Sequence, residues 1–215
     1  VSSEGEICDK CKYVFLAIKP QVFDSVLPKL ANHVKEDTVI VSIAAGITEE
    51  YIMKTTKDKV HTVIVMPNTP FLLGEGATAL AKGTYTTDEE FEVVKSIFST
   101  GGIAEVVPMD KMKEIIAING SSPAFIYLYA KGFIDYAKEN GIDGDAALRL
   151  FAKSLIGSAK MMTESGKTID ELIKMVSSPG GTTLAGLDGL YQGKLTDVVK
   201  DCCERCTKRA YELSK

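Results

Sequence analysis

The 215-residue sequence predicts two successive architectures, an α/β layer on a parallel sheet over residues 1–108 and an all-α domain over 109–215. Three observations carry this. Short runs of β-branched and other apolar residues recur up to about residue 107, each closed by Pro or Gly. Stretches with helical apolar spacing separate those runs, the alternation a parallel sheet covered on both faces requires. After Pro108 the strand pattern stops and the helical period continues alone.

In order, Tyr13-Val-Phe-Leu-Ala-Ile18 reads as a buried strand closed by Lys19-Pro20. A helix follows with Val22, Val26, Leu27 and Leu30 on one side. Thr38-Val-Ile-Val-Ser42 is the next strand and ends at Ala44-Ala45-Gly46. Thr48 then caps a helix bearing Tyr51, Ile52 and Met53. His61-Thr-Val-Ile-Val-Met66 is a third strand, stopped by Pro67-Asn-Thr-Pro70, and Ala77–Ala81 a fourth. Thr87-Asp-Glu-Glu90 forms a capping box ahead of a helix with Phe91, Val94 and Phe98. In the second half, helices are expected over Asp110–Ile118, Ala124–Asn140, Asp145–Ser165, Ile169–Met175, Thr182–Gln192 and Thr196–Leu213. The breaks fall at Gly120–Pro123, Gly141, Gly166, Ser177–Gly181 and Gly193. The stripe Phe125, Leu128, Tyr129, Phe133 and Tyr136 reads as bundle core.

Composition narrows the function. Apolar residues make up 45% and charged residues 25%, which excludes disordered and fibrous classes. The net charge of −4 argues against nucleic acid or an anionic membrane as the partner. No apolar run reaches the roughly 18 residues of a membrane span, and no signal-peptide pattern opens the chain. The five cysteines (Cys8, Cys11, Cys202, Cys203, Cys206) read as reduced thiols of a cytoplasmic protein, and no metal site is expected.

Catalytic machinery of the hydrolytic kind is missing from the pattern. There is no P-loop, no H-x-x-x-H and no G-x-S-x-G. Gly74-Glu-Gly76-Ala-Thr-Ala79 fits G-x-G-x-x-A loosely, but it follows a Pro-rich loop and runs into strand-like residues, the wrong context for a dinucleotide fingerprint. His33 and His61 fit surface or structural roles. Three strand ends in succession, at Lys19-Pro20, Ile43-Ala-Ala-Gly46 and Pro67-Asn-Thr-Pro70, do offer small residues where open sheets bind ligands. In Val176-Ser-Ser-Pro-Gly-Gly-Thr-Thr183, the double glycine leads into a helix whose first amides lack partners, a place for a carboxylate or phosphate. An ordinary cap explains the same string; the paired hydroxyls tilt it towards an anion site. With so few acid–base groups, chemistry carried by a cofactor is the class that fits.

Phe15-Leu-Ala-Ile-Lys-Pro20, Ser42-Ile-Ala-Ala-Gly46, Met66-Pro-Asn-Thr-Pro70, Gly120-Ser-Ser-Pro-Ala124 and Val176-Ser-Ser-Pro-Gly-Gly-Thr-Thr183 resemble, in order and spacing, the motifs of pyrroline-5-carboxylate reductases. The resemblance spans essentially the whole chain. It implies reduction of 1-pyrroline-5-carboxylate to L-proline by NADPH or NADH, the last step of proline biosynthesis. It also implies a Rossmann-like sheet followed by a helical domain that interleaves with a second copy, giving a homodimer and a decameric ring of dimers. The family's opening strand and glycine-rich turn would lie ahead of Val1, so the N-terminal part of that sheet is expected to be absent from this chain.

Residue by residue, the resemblance places Ala17, Lys19 and Pro20 along the cofactor, Ile43, Ala44 and Ala45 near its nicotinamide half, and Asn68 in the third loop. It assigns Ser178, Gly180, Gly181, Thr182 and Thr183 to the substrate, with Thr183 as proton donor. A lone hydroxyl is a weak acid, so Thr183 is expected to orient the imine nitrogen and relay a proton from water. Asn119, Ser122 and Phe125 stand where the family usually has Ser, Gly and Tyr. Two rivals remain: a β-hydroxyacid-type dehydrogenase, which would use a lysine where Ser-Ser-Pro-Gly-Gly-Thr-Thr stands, and a non-catalytic dimeric anion-binding module.

Overall fold

A computed structural model describes residues 3–214. A short helix α1 (Gly5–Lys10) leads into β1 (Tyr13–Leu16), a 3₁₀ turn (Pro20–Val22) and α2 (Phe23–Leu30). Then come β2 (Val39–Ser42), α3 (Glu49–Thr55) and β3 (His61–Met66). A second 3₁₀ turn (Thr69–Leu73) precedes β4 (Gly76–Lys82), α4 (Asp88–Ser99) and β5 (Gly102–Val106). The expected caps are in place: the Thr48 hydroxyl accepts from Tyr51 N–H, and Thr87 and Glu90 form a reciprocal capping box.

The five strands lie in the order β1-β2-β3-β4-β5. β1–β2, β2–β3 and β4–β5 pair in parallel, whereas β3 and β4 run antiparallel. The parallel sheet expected from the sequence is present, with one antiparallel pair within it. Connection length is the cause: a parallel crossover needs about a dozen residues, and the link from Met66 to Gly76 holds only one 3₁₀ turn. Gly74, at φ +75°, closes that turn, so the loose glycine string marks a turn and a strand start, not a phosphate loop.

Period-2 alternation gives the sheet two cores. Val14, Leu16, Ile40, Ile64 and Met66 face one layer with Phe23, Leu27, Leu30 and Ile52. Val39, Val41, Val63, Val65 and Leu80 face the other, against Phe91, Val94 and Phe98 of α4. Each fully buried side chain of this kind contributes about 1.5–3 kcal/mol.

Beyond β5 the chain makes a 3₁₀ turn (Met109–Lys111) and a π-turn (Ile116–Gly120) where a continuous helix over Asp110–Ile118 was expected. Ser121 N–H donates to Ile116 O at 2.7 Å, the five-residue step that interrupts the helical ladder. The helices α5 (Ser122–Glu139), α6 (Gly144–Glu164), α7 (Ile169–Met175), α8 (Thr182–Gln192) and α9 (Leu195–Leu213) follow. The backbone divides into two compact units, residues up to Pro123 with Cys203 onward, and Ala124–Cys202. The expected boundary at residue 108 falls inside the first unit because Met112, Ile116 and Ala210 pack into the sheet's core.

In the second unit Phe133 stacks on Phe151 with centroids 4.2 Å apart, and Tyr129 sits edge-on to Phe133. Within one chain the stripe expected as core is open: Tyr129, Phe133, Leu128 and Tyr136 are 41%, 43%, 71% and 65% exposed, and Phe125 is half-buried.

Candidate functional site

The carboxyl ends of β1, β2 and β3 share one edge of the sheet, because these strands are parallel with Leu16, Ser42 and Ile64 in register. The loops predicted to hold the cofactor all leave from this edge. After β1, Ala17 and Lys19 are exposed and Pro20 half-buried; Lys19 O accepts from Val22 N–H and sets the 3₁₀ turn. After β2, the buried Ser42 hydroxyl accepts from Ala44 N–H at 3.4 Å. That contact folds Ala44 inward and leaves Ala45 exposed and Ile43 half-buried. Gly46 follows at φ +79°, a left-handed turn that favours glycine.

The third loop is held differently. Asn68 Nδ2 donates to Asn119 O at 3.2 Å, and Asn68 Oδ1 accepts from Ala77 N–H at 2.9 Å. Asn119 Nδ2 in turn donates to Met66 O at 2.7 Å and Ala77 O at 2.9 Å. The sequence marks Asn119 only as a departure from the family's usual Ser and gives no sign of this bridging role. Its Ile-Ile-Ala-Ile-Asn context reads as an apolar helix, and only the Asn-Gly pair hints at a turn.

The second unit carries the other candidate cluster. Gly180 sits at φ +71°, and Gly181 is the N-cap of α8 with no side-chain cap hydrogen bond. Gly181 N–H donates to Ser178 O at 3.0 Å, while the first N–H groups of α8, on Thr182 and Thr183, have no capping side chain. Ser178, Gly180, Thr182 and Thr183 are exposed and Gly181 is half-buried. A Cβ on Gly181 would meet Ser178 Oγ at 2.5 Å and Ser178 O at 3.0 Å, so a side chain there turns the Ser178 hydroxyl aside. Uncapped helix amides and two exposed hydroxyls in one turn are groups whose chemistry suits an anion without Lys or Arg.

Both histidines hold the scaffold. His61 Nδ1 lies 2.7 Å from Glu90 Oε2 and His33 Nδ1 2.9 Å from Asp9 Oδ2. Burial alone would raise the Glu90 carboxyl, but Thr87 N–H, Lys12 and His61 together bring it down to about 2. All five cysteines are free thiols, with Cys206 Sγ donating to Ser121 Oγ at 3.3 Å. Among the described residues no group of His, Cys, Asp and Glu could hold a metal, and no helix is long and apolar enough to cross a membrane.

A small-residue edge on a parallel-dominated sheet, followed by a helical unit, is the plan of Rossmann-like, cofactor-dependent oxidoreductases. Comparison with known proteins agrees. Residues 109–213 match the family model for pyrroline-5-carboxylate reductase dimerisation, and residues 1–46 match one for F420-dependent NADP oxidoreductases. The pyrroline-5-carboxylate reductase of Methanosarcina acetivorans is 35% identical over 94% of this chain and 75% of its own length. Pyrroline-5-carboxylate reductase 3 of Danio rerio is 31% identical over 98% of this chain and 73% of its own. The NADP-bound crystal structure of the Plasmodium falciparum enzyme superposes with a TM-score of 0.93 at 26% identity, covering 100% of this chain and 82% of that one.

The chain belongs to the pyrroline-5-carboxylate reductase family. Its reaction is the NAD(P)H-dependent reduction of 1-pyrroline-5-carboxylate to L-proline.

Proposed function

We propose that the sheet edge holds the dinucleotide and that the first turn of α8 holds the imine substrate. Ala17, Lys19 and Pro20 after β1, Ile43, Ala44 and Ala45 after β2, and the loop of Asn68 after β3 are the cofactor-binding set. The fit rests on size: Ala17 and Ala45 are exposed at adjacent strand ends, where a flat ring can approach the main chain. Bound there, NADPH or NADH supplies the hydride.

Ser178, Gly180, Gly181, Thr182 and Thr183 bind the substrate. The observation that carries this is the N-terminus of α8, which has no side-chain cap and is flanked by two exposed threonines. Its N–H groups hold the ring carboxylate, and the helix dipole adds to the attraction. The Thr183 hydroxyl hydrogen-bonds the ring nitrogen, fixing which face of the imine carbon is presented and passing a proton from water to the nitrogen. Alignment, not strong acid catalysis, is what these residues contribute, and orientation can supply much of a barrier.

The functional division is a dinucleotide-binding domain over residues 1–108 and a helical substrate and dimerisation domain over 109–215. The match to the dimerisation model supports a homodimer. We place the enzyme in the cytoplasm and infer that its dimers close into a decameric ring.

The test is imine-dependent oxidation of NADPH and of NADH by the full-length protein and its Thr183→Ala variant. T183A is expected to lower kcat about 100-fold, the lower end of the range for one lost transition-state contact, with NADPH affinity unchanged. An unaltered kcat removes Thr183 from the reaction.

A further inference from the structure

The antiparallel register of β3 with β4 pairs Met66 with Ala79. Continued by two residues, it would set Asn68 opposite Ala77, but the ladder stops at Met66. Two asparagine side chains stand in for the missing ladder bonds. Ala77 N–H is taken by Asn68 Oδ1, and Ala77 O by Asn119 Nδ2, which also reaches Met66 O. Asn119 O accepts from Asn68 Nδ2 and closes the ring of contacts. The main chain of Asn68 is thereby freed from the sheet, and its carbonyl accepts from Phe71 N–H at the start of the next turn.

Asn119 reaches this position because the π-turn swings it out of the helical register. Such turns recur at functional sites. Asn119 is 8% exposed, and its amide orientation is fixed by two carbonyl acceptors, since a flipped amide would aim oxygen at oxygen. Its Oδ1 is enclosed with no hydrogen-bond partner. A buried carbonyl left unpaired is costly, and the fold retains it. The next residue packs against the same strand end, because a Cβ on Gly120 would meet Met66 Sδ at 3.2 Å.

We propose that Asn119 is a positioning residue for imine reduction: through Met66 O and Ala77 O it locks the Met66–Pro70 loop to the Gly120–Pro123 turn, so that the two segments move as one. It acts through those backbones. The inference rests on the assignment of the Asn68 loop to the cofactor edge.

The experiment compares the full-length enzyme with Asn119→Asp, which keeps the shape but turns the double donor into an acceptor. Asn119→Ala is the second variant, removing the donor without adding charge. At saturating imine and cofactor, kcat of N119D is expected to fall about 30-fold, in line with the rate losses from sub-ångström to ångström misplacement of aligned reactants. NADPH affinity, read by direct titration, is expected to weaken several-fold in both variants. A purely structural amide would lower the melting temperature and leave kcat, both KM values and the NADPH titration of the folded fraction unchanged; that result overturns the proposal. If N119D does not fold, N119A decides by the same criteria. Wild-type enzyme in the same assay separates the two ideas, since absence of imine-dependent oxidation there would sink the cofactor-edge reading itself.

Discussion

The sheet unit and the helical unit differ most in how they exclude water. In the first, Val39, Ile40, Val41, Val63, Val65 and Leu80 are fully or almost fully enclosed, with a helical layer on each face. In the second, Ala137 is the one buried residue among those described, while Leu128, Leu150, Tyr136 and Met162 stand more than half exposed. One unit completes its core from its own chain. The other presents the apolar stripes of long helices outward, as a surface meant for a second copy does. The match of this half to a dimerisation model gives that exposure its meaning.

Paired truncations test the contrast most strongly. Leu80→Ala is expected to cost about 3 kcal/mol, because its site is fully enclosed. Leu150→Ala, at 70% exposure, is expected to cost under ~0.5 kcal/mol in a single copy. Denaturant melts of both, under dissociating conditions, check this; equal losses would erase the distinction.

Charge on the exposed stripe comes next. The double variant Leu128→Asp, Leu150→Asp is expected to weaken self-association by about 100-fold or more, since buried unpaired carboxylates are expensive. Sedimentation would show monomers in place of dimers. Intact dimers would mean that another surface joins the copies.

The sheet unit has its own pH signature. Glu90 titrates in the fold at about 2 against an ordinary 4.5, so the folded state binds its proton less tightly than the unfolded one. Its contribution is therefore fully present above about pH 4.5 and is lost as pH falls towards 2. The loss is ~2 kcal/mol once the half-exposed Lys12 partner is discounted. Glu90→Gln should flatten that limb of the stability curve, and a slope unchanged by the substitution would assign it to other carboxylates.

Sequence legibility follows the same divide. β1, β2 and β3 are legible because β-branched runs end at Pro and Gly, and α7 and α8 because caps and glycines bound them. β5 is not, since Gly-Ile-Ala-Glu-Val is a partly exposed edge strand with no unbroken apolar run. The antiparallel turn to β4 could have been read from the shortness of its connection. The exposed stripe of α5 has the period of core whether its partner is the same chain or another copy, so the sequence cannot say which.

The site divides likewise. Strand-end alanines and the Ser178–Thr183 turn are visible in local pattern. Asn119 is not, because its partners lie 53 and 42 residues away and only the tertiary fold brings them within reach. Gly181 stands between the two cases: its place in the turn is legible, but the 2.5 Å approach of Ser178 Oγ to it is not.

The account depends on the α8 turn as the seat of the substrate's carboxylate, and calorimetry of L-proline binding to the full-length protein and its Gly181→Val variant tests it. A side chain there must displace the Ser178 hydroxyl and crowd the proposed carboxylate site. Proline affinity is expected to fall about 10-fold or more, the loss of one charge-assisted contact, with NADPH affinity unchanged. Equal proline affinity in the two proteins would contradict the account.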